Sequence, residues 1–161
     1  MSIDDDRLSG YLGDHLLAAE SGVRLFESAK RTWQDTEYRS DFDEIRRDVA
    51  ADRDDLAALI RRLGYTPGRA KMALAWVGAQ VSKAGPLNPL HRSDGRNGQL
   101  ELEALQSAVH GKESLWTSLL ALARNDDRLD PEDLQRLKDR ARMQQDRIAG
   151  IMDRTIIGRF D

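Results

Sequence analysis

Three polar residues interrupt otherwise apolar helical seams in this chain: Asp52, Lys112 and Gln144. Counted in alternating steps of three and four, the stretch 100–123 puts Leu102, Leu105, Val109, Trp116, Leu119 and Ala123 on one helical face. Lys112 is the one slot in that series that is not apolar. Asp52 breaks a similar series between Val49 and Leu56, and Gln144 another between Ala141 and Ile148. A lysine on a buried seam is costly unless an anion meets it. Residues of these types at matching depths point to a buried ion pair, Lys112 against Asp52, with Gln144 supplying hydrogen bonds. On the first helical stretch the interruption is His15, which lies well before the midpoint. Glu20 has the right depth but sits roughly 100° from the centre of the apolar face. Either His15 or Glu20 is a candidate to join the layer.

The elements that carry these residues follow from the same periodicity. Leu8, Leu12, Ala19, Phe26, Ala29 and Trp33 hold one face of a first helix over 8–33, with a capping Ser2 and acidic Asp4, Asp5 and Asp6 before it. A second helix over 41–63 is read from Phe42, Ile45, Val49, Leu56, Leu59 and Leu63, and is ended by Gly64, Pro67 and Gly68. The segment 69–84 reads as a short basic amphipathic helix, and 85–98, with Asp94-Gly95 and Asn97-Gly98, as a loop rich in turn signals. The third helix is the stretch 100–123. Asp130-Pro131-Glu132-Asp133 starts a fourth that runs to Thr155, followed by a tail over 156–161. The expected fold is all-α: one domain over 1–161, a four-helix bundle with a long crossover containing a short helix between helices two and three.

Composition narrows the function classes. With 161 residues, 40% apolar and 33% charged, the chain is large enough for one domain burying roughly two thirds of its unfolded surface. A net charge of −3 gives no basic field for nucleic acid. Cysteine is absent, which removes disulfides, thiolate metal sites and cysteine nucleophiles together. The acidic start Met1-Ser-Ile-Asp is unlike a signal peptide and no window approaches the length of a membrane span, so a cytoplasmic location is expected. No Gly-rich phosphate loop or nucleophile elbow occurs, and 125–130, though acidic, lacks the alternation and glycine of a calcium loop. It reads as a solvated turn before a helix cap. His110 falls off the apolar face, and His91 sits in the turn-rich loop.

Four short segments resemble the ferritin-like superfamily, especially rubrerythrins and bacterioferritins. Glu20-Ser-Gly-Val-Arg-Leu-Phe looks like the segment around the first-helix metal glutamate, and the stretch from Asp52 to Leu63 is similar to the Glu-x-x-His motif and the apolar turns after it. Lys112-Glu-Ser-Leu-Trp116 resembles the third-helix metal segment, and Gln144-Gln-Asp-Arg147 the second Glu-x-x-His. The resemblance implies a bundle built to hold two metals. Carried over by position, Glu20 remains a glutamate, Asp52 is a shorter acid and Asp55 replaces the first histidine. Lys112 replaces the third-helix glutamate, and Gln144 and Arg147 replace the last pair. Lysine and arginine cannot ligate iron while protonated.

The expectation is therefore a ferritin-like bundle with no cofactor and no catalytic residue. Its polar layer is drawn from His15, Glu20, Asp52, Asp55, Lys112, Gln144 and Arg147. It would serve as a structural or protein-interaction module and form a homodimer through surplus apolar residues such as Leu16, Leu17, Leu25 and Leu120. Two alternatives stand beside it: a displaced metal or redox site using His15, Glu20 and Asp52, and a membrane- or partner-binding role for 69–84.

Overall fold

The computed structural model describes residues 3–66 and 95–161, with 95–97 by backbone alone. Among them are four helices and no strand: α1 (Asp5–Thr32), α2 (Arg39–Arg62), α3 (Gly95–Leu122) and α4 (Pro131–Phe160). The fold of the described chain is all-α. The expected basic helix over 69–84, the turn-rich loop up to 94, His91 and the Ser2 cap lie outside the described residues.

Local sequence explains where most helices start and stop. Asp4 caps α1 by accepting from the Arg7 amide at 3.1 Å, with Asp5 and Asp6 in the first turn and Lys30 and Arg31 in the last, matching the helix dipole. α2 ends in a left-handed Gly64 with φ of 77°. The Gly64 amide returns to Arg61 O and the Tyr65 amide to Ile60 O, a Schellman closure that satisfies the last carbonyls. Asp130 caps α4 by accepting from Glu132 N at 2.9 Å and Asp133 N at 3.5 Å, with Pro131 in the first turn.

Two boundaries differ from the sequence expectation. α3 begins at Gly95, inside the stretch read as loop, because Gly98 is buried within its first turn and the Asn97-Gly98 turn signal is overridden. α4 continues through the expected tail to Phe160. There Arg159 is anchored: its guanidinium lies 5.1 Å from the Trp33 ring centroid and donates to Gln99 Oε1 at 2.9 Å. That contact outweighs the propensity cost of Gly158.

The helices pair as α1 with α2 and α3 with α4, and the two hairpins meet along α1–α3 and α2–α4. Cross-bundle contacts give the directions. Trp33, after α1, donates to Glu101 near the start of α3, and Asp5 at the start of α1 is bound by Arg128, just after α3. Arg62 at the end of α2 meets Asp133 at the start of α4, while Glu44 near the start of α2 meets Arg147. α1 and α3 are thus antiparallel, as are α2 and α4, and α2 runs parallel to α3. α2 ends and α3 begins at opposite ends of the bundle. One apolar core runs through it, with Phe26, Phe42, Ile45, Leu56, Leu105, Trp116, Leu119 and Ile148 all at most 2% exposed. No described helix is long and apolar enough to cross a membrane.

Candidate functional site

The seam interruptions on α2, α3 and α4 meet. Asp52 is buried at mid-bundle, and its Oδ2 accepts from Lys112 Nζ and from Gln144 Nε2, the latter at 2.9 Å. Lys112 also donates to Gln144 Oε1, so the three side chains close a ring of hydrogen bonds. The other Asp52 oxygen, Oδ1, accepts from Arg140, whose guanidinium also holds Asp55 Oδ2. The side chain of Asp52 is 1% exposed, that of Lys112 14%, that of Arg140 20% and that of Asp55 39%. The layer therefore runs from a sealed carboxylate outward to a half-exposed one. Two acids and two bases make it formally neutral, which is how charges are tolerated at this depth. Burial pushes the Lys112 ammonium below the ordinary lysine value, and the Asp52 carboxylate opposes that push. For Arg140 burial works the same way, but Asp52 and Asp55 together outweigh it and its proton is held more tightly than usual.

The seven residues named from sequence do not all come together. Asp52, Lys112 and Gln144 form the layer's centre, and Asp55 joins through Arg140. Glu20 is exposed on α1 and takes no part, as its angle away from the seam requires. Arg147 is also exposed, pairing with Glu44 at 2.7 Å on the α2–α4 surface. Its place is taken by Arg140, which lies one helical turn before Gln144 and therefore on the same face. Reading only the seam positions hid Arg140, because the seam slot beside it is Ala141. His15 is half-buried, edge-on to Tyr11 with ring centroids 4.6 Å apart, and joins no hydrogen bond of the layer. Burial lowers its pKa, with Asp14 opposing.

His15 instead lines a cavity of about 330 Å³ that lies between α1, α2 and α3 and opens to the surface. Its α1 and α3 walls carry small residues, Ala18, Ala19, Gly22, Ala108 and Gly111. Phe26, Leu56, Leu115 and Trp116 supply larger apolar surface, and Asp52 and Lys112 bring one edge of the ion-pair layer into the wall. Trp116 is fully buried, and its indole N–H finds no acceptor among the described residues.

Polar clusters that sequence reasoning missed clasp both ends of the bundle. At one end Trp33 Nε1 donates to the buried Glu101 at 3.2 Å. At the other, the 125–130 turn is not simply solvated. Asp126 is buried and accepts from Arg128 N, Nε and Nη2 at 3.0, 2.9 and 2.7 Å, while the same guanidinium reaches Asp5 at 2.7 Å. Tyr65 donates to Asp5 as well. Arg128 and Asp126 are two residues apart, a local pairing that a search for long-range seams passes over.

Among the described residues, no group of three or more His, Asp or Glu is placed to hold a metal ion. A di-iron centre needs carboxylates and imidazoles converging on two cations. Here the converging groups are an ammonium, a guanidinium, an amide and two carboxylates that those bases already hold, a set that does not fit that centre. Comparison with family models, curated proteins and solved structures returned no match for this chain.

Proposed function

We propose that this chain is a ferritin-like bundle without metal chemistry, acting as a structural or protein-interaction module whose buried ion-pair layer takes the place of a di-metal centre. The observation that carries this reading is the state of Asp52. Both of its oxygens are held by basic side chains, Lys112 and Arg140, at mid-bundle where the superfamily's ligands converge. The helix directions support the ferritin-like part, since a parallel α2 and α3 with antiparallel neighbours is the order produced by one long crossover. A displaced site built from His15, Glu20 and Asp52 gains no support: Glu20 faces solvent and Asp52 is already saturated.

The partner in this reading is a second copy of the chain or another protein. Leu100 at the start of α3 and Ile156, Ile157 and Phe160 at the end of α4 are exposed at the same end of the bundle, with Ile157 at 73% and Phe160 at 63%. Exposed apolar groups clustered in this way mark contact surfaces.

Incubation of the purified chain with Fe(II), followed by desalting and iron analysis, tests the central claim. Wild type and Asp52→Ala should retain the same trace of iron. Near-stoichiometric iron in wild type that Asp52→Ala abolishes would overturn it. Sedimentation velocity tests the partner claim: a dimer that Ile157→Glu with Phe160→Glu converts to monomer supports self-association, and a wild-type monomer at all concentrations removes it.

A further inference from the structure

The ion-pair layer explains the polar residues on the seam but not the space beside it. Gly22 and Gly111 sit in the interiors of α1 and α3, where glycine costs about 1 kcal/mol against alanine. Mid-helix glycines in a bundle ordinarily let two backbones approach. Here a Cβ built on either would meet nothing within 4 Å, and both residues line the cavity. These glycines leave room rather than close a gap. The volume, about 330 Å³, lies at the small end of ligand pockets, about 300–1,000 Å³.

The wall also has a polarity. A lysine ammonium offers three donors, and Lys112 commits two of them, to Asp52 and Gln144. One turn further along α3, Trp116 keeps its buried indole N–H without an acceptor among the described residues. Asp52 has no acceptor to spare, since Arg140, Lys112 and Gln144 occupy its oxygens. Arg53, also in the wall, is neutralised by Asp54 at 2.7 Å. The α3 side of the cavity thus offers hydrogen-bond donors set among apolar surface. Asp14 and His15 lie across from it on α1.

We propose that the cavity between α1, α2 and α3 binds a small apolar monocarboxylate, a medium-chain fatty-acid-like molecule, with its carboxylate on Lys112 and its body over Gly22 and Gly111. This goes beyond the metal-free module, which needs the ion-pair layer and not the cavity. The depressed proton affinity of Lys112 agrees with it, because an added anion relieves the burial that Asp52 alone does not offset.

Calorimetric titration of the full chain with octanoate, and with 1-octanol as the uncharged comparator, tests the proposal. Octanoate should bind saturably at one per chain and at least tenfold more tightly than 1-octanol. Gly22→Leu should stay folded, melt higher and bind octanoate at least tenfold more weakly. Gly111→Leu makes the same test on the opposite wall should the first variant not fold. Lys112→Met should erase the preference for octanoate while leaving 1-octanol binding within twofold. Non-saturable or absent octanoate binding, or wild-type affinity in a folded glycine variant, overturns the site. Equal affinity for octanoate and 1-octanol in wild type overturns the carboxylate assignment. None of these variants changes Asp52, so the iron experiment on wild type and Asp52→Ala stands or fails separately.

Discussion

Removing Lys112 probes the layer most directly. Lys112→Ala deletes two charge-assisted hydrogen bonds, each worth about 1.5–3 kcal/mol net, but Asp52 is not left bare. Its Oδ1 keeps Arg140 and its Oδ2 keeps Gln144. The expected loss is therefore about 3 kcal/mol, the lower end of what breaking a buried pair costs. Lys112→Met restores most of the apolar stem and should cost about half as much. Asp52→Ala should cost more, about 4–5 kcal/mol, because it leaves the buried Lys112 without a counter-charge and with Gln144 as its partner, while Arg140 retains Asp55. The double variant should then be less destabilised than the sum of the two singles by about 2 kcal/mol, the coupling of a direct contact. Equilibrium urea unfolding at pH 7 measures all of these, and repeating it at high salt should barely change the coupling, because buried pairs are weakly screened. A Lys112→Ala protein within 1 kcal/mol of the parent, or a coupling that disappears in salt, would refute the picture of a sealed layer.

Other perturbations separate neighbouring residues. Arg140→Ala should cost about 2–3 kcal/mol by unpairing Asp52 Oδ1, whereas Arg147→Ala, losing only its surface contact with Glu44, should cost less than about 1 kcal/mol. Chemical denaturation of the two variants side by side tests the assignment, and equal losses would contradict it. His15 governs part of the pH dependence. Its proton affinity is lower in the folded chain than the ordinary value near 6.5, so below that pH the unfolded chain binds the extra proton. The stability that neutral His15 contributes is complete above pH 6.5 and falls as the pH drops towards the folded pKa, each tenfold difference in affinity being worth about 1.4 kcal/mol. His15→Gln should flatten that slope between pH 6.5 and 5 in urea-unfolding series, and an unchanged slope would count against its burial.

Much of the bundle was legible because the seam positions behave independently. Leu102, Leu105, Val109, Trp116 and Leu119 are buried, and the α2 series from Phe42 to Leu63 is buried with Asp52 included. A three-four count finds such residues because burial is set by angle around a helix, and angle is local information. Arg140 escaped the count because long side chains act at a distance from their Cα. A guanidinium one residue off the seam still reaches Asp52. Arg147 attracted attention through a motif position, but its angle turns it towards Glu44 and solvent. The end clasps escaped for a different reason. Trp33 with Glu101 and Asp5 with Arg128 join positions far apart in sequence, and nothing in either sequence neighbourhood announces its partner. The cavity was the least legible feature, since Gly22, lying between Ala19 and Phe26, carries no side chain for a pattern to register.

The position of these polar contacts bears on why the bundle tolerates empty space. The ion-pair layer ties α2, α3 and α4 together at mid-height, and α1 contributes nothing to it. α1 is fixed instead by its packing on α2 and by the two clasps at its ends, through Trp33 to Glu101 and through Asp5 to Arg128. Of the two, the Trp33–Glu101 contact is buried and the Asp5–Arg128 pair lies at the surface. Small residues leave the space between α1 and α3 unfilled. The volume of the cavity is thus the room that small side chains leave between these helices. A larger side chain at Gly22 or Gly111 should consequently fill space instead of prying the helices apart, because a Cβ at either meets nothing within 4 Å. The cavity therefore lies between one hydrogen-bonded end and one ion-paired end, beside a lysine with a donor to spare.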